Sequence, residues 1–146
     1  MPPDENPPTL STATPLHIAA CVIERHDGMI ALVRKRGTTA FMQPGGKLEP
    51  NETGAEAVIR EVEEELGIRL TGEVTPLGRF SALAANEPDT EVLAEVFWCR
   101  CDENPSVQAE IEELRWIDPG APPAIELAPL TRDHILPALL RLRSNR

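Results

Sequence analysis

The chain has 146 residues, 41% of them hydrophobic, and carries 14 lysines and arginines against 24 aspartates and glutamates. That length and apolar content suit one domain with a real core and exclude a disordered chain, while a net charge of -10 disfavours general attraction to nucleic-acid backbones or anionic membranes. Cys21, Cys99 and Cys101 show no CxxC or Cys/His ligand spacing, so they read as buried free thiols of a cytoplasmic protein, not as a disulfide framework or a zinc site.

In chain order, Met1 to Pro15 holds five prolines among Asp, Glu, Asn, Ser and Thr. Such a stretch buries little apolar surface and is expected to be a flexible tail, ahead of a single folded domain over residues 16–146. It lacks the basic start and apolar centre of an export signal, and no later run approaches about 18 apolar residues, so neither export nor membrane spanning is indicated. Leu16 to Arg25 reads as a strand, Asp27-Gly28 as a tight turn and Met29 to Lys35 as the hairpin partner. Pro44-Gly45-Gly46 forces a bend. Asn51 or Thr53 is placed to cap a helix from about Thr53 to Leu66, with Ala55, Ile59, Val62 and Leu66 as its buried stripe and Gly67 as its left-handed stop. Strands follow at Glu73 to Phe80, Glu91 to Arg100 and Leu114 to Ile117, then a last helix from Thr131 to Arg143. The plan is α+β.

The helix carries the chemistry. Glu61, Glu64 and Glu65 stand at i, i+3 and i+4, which at about 3.6 residues per turn places three carboxylates on one face. Like charges so spaced repel unless a cation neutralises them. An oxygen-only donor set favours Mg²⁺, with Mn²⁺ able to substitute, and Mg²⁺ typically shares its remaining positions with water and substrate phosphates.

From Gly46 through Glu52 and Arg60-Glu61-Val62-Glu63-Glu64-Glu65-Leu66-Gly67-Ile68, the sequence resembles at every specified position the Nudix box, G-x5-E-x7-R-E-U-x-E-E-x-G-U with U a bulky aliphatic. The preceding Phe41-Met42-Gln43-Pro44-Gly45 also looks like the lead into that box. The resemblance implies an α/β/α sandwich with a mixed sheet, and a hydrolase that splits a diphosphate linking a nucleoside to another moiety. It further implies metal coordination by Glu61, Glu64 and Glu65 with the backbone near Gly46, orientation of the glutamates by Arg60, and support of the loop or an outer metal position by Glu52.

A diphosphate ester resists hydrolysis because its anionic oxygens repel a nucleophile, so a site must supply cations and orient one water for in-line attack. The acid next to that water is Glu64, Glu61 or a carboxylate from a downstream loop. Glu91, Glu95, Glu110, Glu112 and Glu113 are the downstream acids, and Glu95 and Glu112 are the two selected. For substrate contacts the choices are Phe41 beside the box, Phe80 before a loop over Ser81 to Thr90, and Arg34 and Lys47 for phosphates. No histidine is assigned to catalysis.

A bare single domain points to nucleoside triphosphates or modified nucleotides, with ADP-ribose and nucleotide sugars next. The rivals are a nucleotide-sensing module without catalysis and RNA-end processing, the second disfavoured by the charge. A small-molecule nucleotide is thus the expected partner, nucleic acid and membrane are not, and a homodimer is compatible with the sequence.

Overall fold

The computed structural model describes residues 15–71 and 73–145. The expected tail, apart from Pro15, lies outside them. The elements run β1 (Leu16–Glu24), β2 (Ile30–Lys35), β3 (Gly45–Lys47), α1 (Gly54–Leu66), β4 (Thr75–Leu83), β5 (Glu91–Arg100) and β6 (Ile111–Ile117), followed by a π-helical turn (Thr131–Ile135) that continues into α2 (Leu136–Ser144).

The strands form one mixed sheet in the order β4-β5-β1-β2-β6, with β3 paired to β1. β1 and β5 run parallel through nine residue pairs, Leu16↔Val92 to Glu24↔Arg100, and the other neighbours are antiparallel. Alternation at period 2 sends side chains to two cores. Ala19, Cys21, Ile23, Val33 and Phe97 meet Val58, Val62 and Leu66 of α1 on one face. Val22, Ile30, Leu32 and Val96 meet Ile135, Leu136 and Leu139 on the other. The result is the three-layer α/β/α sandwich. Among the described residues no helix is long and apolar enough to cross a membrane.

Three differences from the sequence reading shape the site. The hairpin strands β1 and β2 pair only at Glu24↔Ile30, and beyond that they splay. The segment from Met42 to Lys47 fills the gap: Val33 and Met42 exchange backbone hydrogen bonds at 2.7 and 2.9 Å, and Cys21 N–H donates to Pro44 O at 3.0 Å. The expected bend over Pro44-Gly45-Gly46 is present at Pro44, but Gly45 and Gly46 then enter a short strand, β3, invisible to patterning because its glycines serve close approach. The second difference is the face of α1. Ala57 and Val58 are buried with Val62 and Leu66, Ala55 and Ile59 are only half-buried, and Glu65 lies inside the helix packing at 3% exposure. Third, the last helix begins as a π-turn, and β6 starts three residues earlier than expected, which brings Glu110 to the head of the strand.

The cysteines are free, with Cys21 and Cys99 buried and Cys101 half-buried. Phe97 packs in the core, and Trp98 Nε1–H donates to buried Glu24 at 2.7 Å.

Candidate active site

Helix α1 is fixed at both ends. Thr53 and Glu56 form a reciprocal capping box: Glu56 N–H donates to Thr53 Oγ1 at 3.1 Å and Thr53 N–H donates to Glu56 Oε1 at 2.9 Å. At the other end Gly67 takes φ 67°, a left-handed value that suits glycine, and its N–H closes on Glu63 O. The charged side chains sit on the last two turns, where backbone fraying is thereby suppressed.

Arg60 organises them. Its Nε and Nη2 grip both oxygens of Glu52 at 2.8 and 2.9 Å, Nη1 donates to Glu61 Oε2 at 2.8 Å and Nη2 reaches Lys47 O at 3.1 Å. Glu64 Oε2 stands 3.6 Å from the same guanidinium. The fork donates to Glu52, and Glu49 N–H adds a further bond, so the Glu52 carboxyl is lowered to about 2. Glu61 moves the other way because desolvation outweighs its bond to Arg60.

Glu65 is the most perturbed acid. Burial raises its pKa from 4.5 to about 8, against the opposing hydrogen bond from Gly45 N–H at 3.2 Å. The Glu61 and Glu110 charges push the same way as burial, and Lys35 opposes them without offsetting the shift. Gly46 packs against the neighbouring Glu61 so closely that a Cβ there would lie 2.6 Å from its carboxyl carbon.

These groups open onto a cleft of about 480 Å³ whose lining includes Glu61, Glu65, Gly46, Lys47, Lys35 and Glu110. Among the described residues no three His, Cys, Asp or Glu side chains gather closely enough to enclose a metal. Two carboxylates of α1, Glu61 and Glu65, do line the cleft, and Mg²⁺-type sites typically take one or two carboxylates and leave the rest to water and phosphates. The donor set is all oxygen, and a divalent ion would add to Lys35 the positive charge needed to offset the burial of Glu65. The residues fit the group.

Of the residues chosen from sequence, Glu61, Glu65, Gly46 and Lys47 line the cleft, while Glu64, 55% exposed, stands beside Arg60 outside its lining. Arg34 turns away, donating to Glu113 Oε1 at 3.1 and 3.2 Å and to Thr38 O at 2.7 Å. Phe41 is 4% exposed in the second core, beneath the guanidinium groups of Arg115 and Arg34. Phe80 stacks on His134 at 5.8 Å. Among the described residues none of these three is part of the cleft lining. An aromatic or basic side chain near the box in sequence has been absorbed by packing and ion pairing.

The downstream acids sort in the same way. Glu95 points at the first residue of α1, where a Cβ on Gly54 would meet its Oε1 at 2.5 Å; there it answers the positive end of the helix dipole, two turns from Glu61. Glu112 is exposed and 3.5 Å from Arg36. Glu110, passed over in that choice, is the one in the cleft, 3.8 Å from Lys35 Nζ and near enough to Glu65 to help raise its pKa. Ala109 before it holds φ 55°, an uncommon value for alanine that often accompanies functional positions. Pairing of Lys35 with Ile111 across β2 and β6 was the signal that locates it, and it becomes readable only with β6 begun at Ile111.

Residues 15–139 match the family profile of the NUDIX domain. The chain belongs to the Nudix hydrolase family. With the family come hydrolysis of a nucleotide pyrophosphate bond and the use of a divalent metal ion. This Nudix protein is 31% identical over 136 residues to the CTP pyrophosphohydrolase of Escherichia coli strain K12, covering 90% of this chain and 96% of that one. It is 38% identical over 86 residues to an 8-oxo-dGTP diphosphatase of Proteus vulgaris, covering 56% of this chain and 73% of the relative. Among solved structures, a MutT Nudix hydrolase from Burkholderia pseudomallei superposes with a TM-score of 0.70 at 26% identity, covering 88% of this chain and 98% of the other.

Proposed function

We propose that this Nudix hydrolase cleaves the pyrophosphate bond of nucleoside triphosphates, normal or modified, with Mg²⁺ as the metal and Mn²⁺ as a substitute. The observation that carries the reading is the convergence of Glu61, Glu65, Lys35, Lys47 and Glu110 on one cleft of about 480 Å³, a volume in the range of small-molecule sites. The triphosphates named for two relatives support the substrate class.

Glu61 and Glu65, the two carboxylates of α1 that line the cleft, would hold the cation together with the backbone at Gly46, and Glu64, beside Arg60, would join them only by turning its side chain inward. When bound, it neutralises the diphosphate oxygens and makes the attacking water more acidic. Arg60 fixes the Glu61 carboxylate and, through Glu52 and Lys47 O, ties the loop before α1 to the helix. Lys35 and Lys47 place positive charge where phosphate oxygens arrive. Glu110 is the acid positioned to take the proton from the water as it attacks phosphorus, with the Lys35 ammonium keeping it oriented.

The test is product identification by phosphate and pyrophosphate release over CTP, the other NTPs and dNTPs, 8-oxo-dGTP, ADP-ribose and nucleotide sugars with Mg²⁺. Triphosphate cleavage, lost in Glu61→Gln and lowered about 100-fold or more in Glu110→Gln but not in Glu95→Gln, is the expected result. Turnover confined to ADP-ribose or sugars would replace the substrate class, and binding without turnover would make the protein a sensor.

A further inference from the structure

The cleft has a second chemical character. Besides the charged groups, its lining includes Ile18, Ala20, Val92, Ala128 and Leu130, and into this apolar wall two polar residues are set, Gln43 and Thr131. Gln43 is 5% exposed and Thr131 fully buried. Thr131 Oγ1 donates to Gln43 Oε1 at 2.7 Å. A hydroxyl has one proton to give, and here it fixes the amide with its oxygen already occupied and its nitrogen turned elsewhere. Gln43 Nε2 finds no acceptor among the described residues.

An unpaired buried amide donor is costly, and proteins keep such a group mainly where something else completes it. Thr131 opens the π-turn Thr131–Ile135. A π-turn is rare and recurs at functional sites, and this one sets Thr131 against Gln43 across 88 residues of sequence.

We propose that Gln43, oriented by Thr131, is the specificity-determining residue of the cleft, donating from Nε2 to a carbonyl oxygen or unprotonated ring nitrogen of the substrate's base. This rests on the triphosphate reading above. The nitrogen is shielded from solvent, so the acceptor reaches it by a small adjustment of the cleft wall on binding. With Oε1 turned toward Thr131, the unpartnered group that the amide presents is its Nε2 donor. A base that brings an acceptor to it is favoured, and one that brings an N–H sets donor against donor. Thr131 acts through Gln43 and is a positioning residue.

The experiment measures kcat and KM for CTP, UTP, GTP, ATP and 8-oxo-dGTP with Mg²⁺ in the wild type, Gln43→Leu and Gln43→Leu/Thr131→Val, with unfolding temperatures alongside. The double variant removes both polar partners together, so it should fold with near wild-type stability. The expected result is that the spread between the best and worst nucleotide narrows about 10- to 100-fold in both variants, mainly through KM, with Thr131→Val adding little to Gln43→Leu. A uniform fall across the panel, or an unchanged ranking in a folded variant, would overturn the inference while leaving the triphosphate activity standing. If the folded wild type hydrolyses none of the five, the triphosphate reading fails and this inference falls with it.

Discussion

Glu65→Gln tests the electrostatic account of the site in the metal-free protein. The Glu65 pKa is raised from 4.5 to about 8 by burial, so between those values the unfolded chain has released this proton while the folded protein still holds it. The folded state binds more protons, and stability therefore falls as pH rises through that window. Each pH unit is worth about 1.4 kcal/mol, so from pH 5.5 to 7 the wild type loses about 2 kcal/mol through this residue. Glu52, held at about 2, is ionised in both states over this range and adds almost no slope. Gln keeps an acceptor for Gly45 N–H and has no proton to lose. Urea unfolding in EDTA at pH 5.5, 6.2 and 7 should show the wild type declining and Glu65→Gln nearly level, apart from a smaller slope of the same sign from Glu61, whose pKa is also raised. Mg²⁺ should stabilise the wild type increasingly as pH rises, with proton release, and should do little for the variant. Parallel pH profiles in the two proteins would refute the reasoning.

Three further outcomes follow from named contacts. Arg60→Lys cannot keep the two-pronged grip on Glu52 together with the bond to Glu61, and should weaken metal affinity or kcat about 10- to 100-fold with little change in unfolding temperature; full activity in a metal titration would count against the positioning role. Thr53→Ala removes half of the capping box and should cost about 1 kcal/mol, read as a fall of about 3 °C in Tm. Arg143→Ala strips buried Glu24 of the guanidinium 3.3 Å away, which also donates to Gly28 O at 2.7 Å; stranding that carboxylate should cost about 3 kcal/mol in denaturant unfolding, and a neutral result would show that the pair does not tie α2 to the β1–β2 turn.

The chemistry was legible where it is written in local order. Gly46, Glu52, Arg60, Glu61, Glu64 and Glu65 lie on one short strand, one loop and one helix, and the helix's cap at Thr53 and stop at Gly67 follow from hydrogen bonding and backbone preference over a few residues. Short-range rules operate there, so the box, and with it the family, was legible in this segment, and the proposed metal site rests on the same spacing. The alternating apolar runs of β1, β2 and β5 were equally readable.

What the tertiary structure decided is which residues meet across long stretches of chain. Phe41 and Arg34 lie beside the box in sequence, yet Phe41 is bridged to Leu127 and packed in the second core, and Arg34 is bound to Glu113 because β2 pairs with β6. Glu95 is drawn to the start of α1 by the parallel pairing of β5 with β1, and Glu110 is delivered to the cleft by the register of β6. Gln43 and Thr131 become partners only when the splayed hairpin admits the Met42–Lys47 segment beneath the last helix. Periodicity tells which face a residue occupies on its own element. Proximity between elements depends on strand order and register, which are fixed by how the whole set of apolar faces is buried at once.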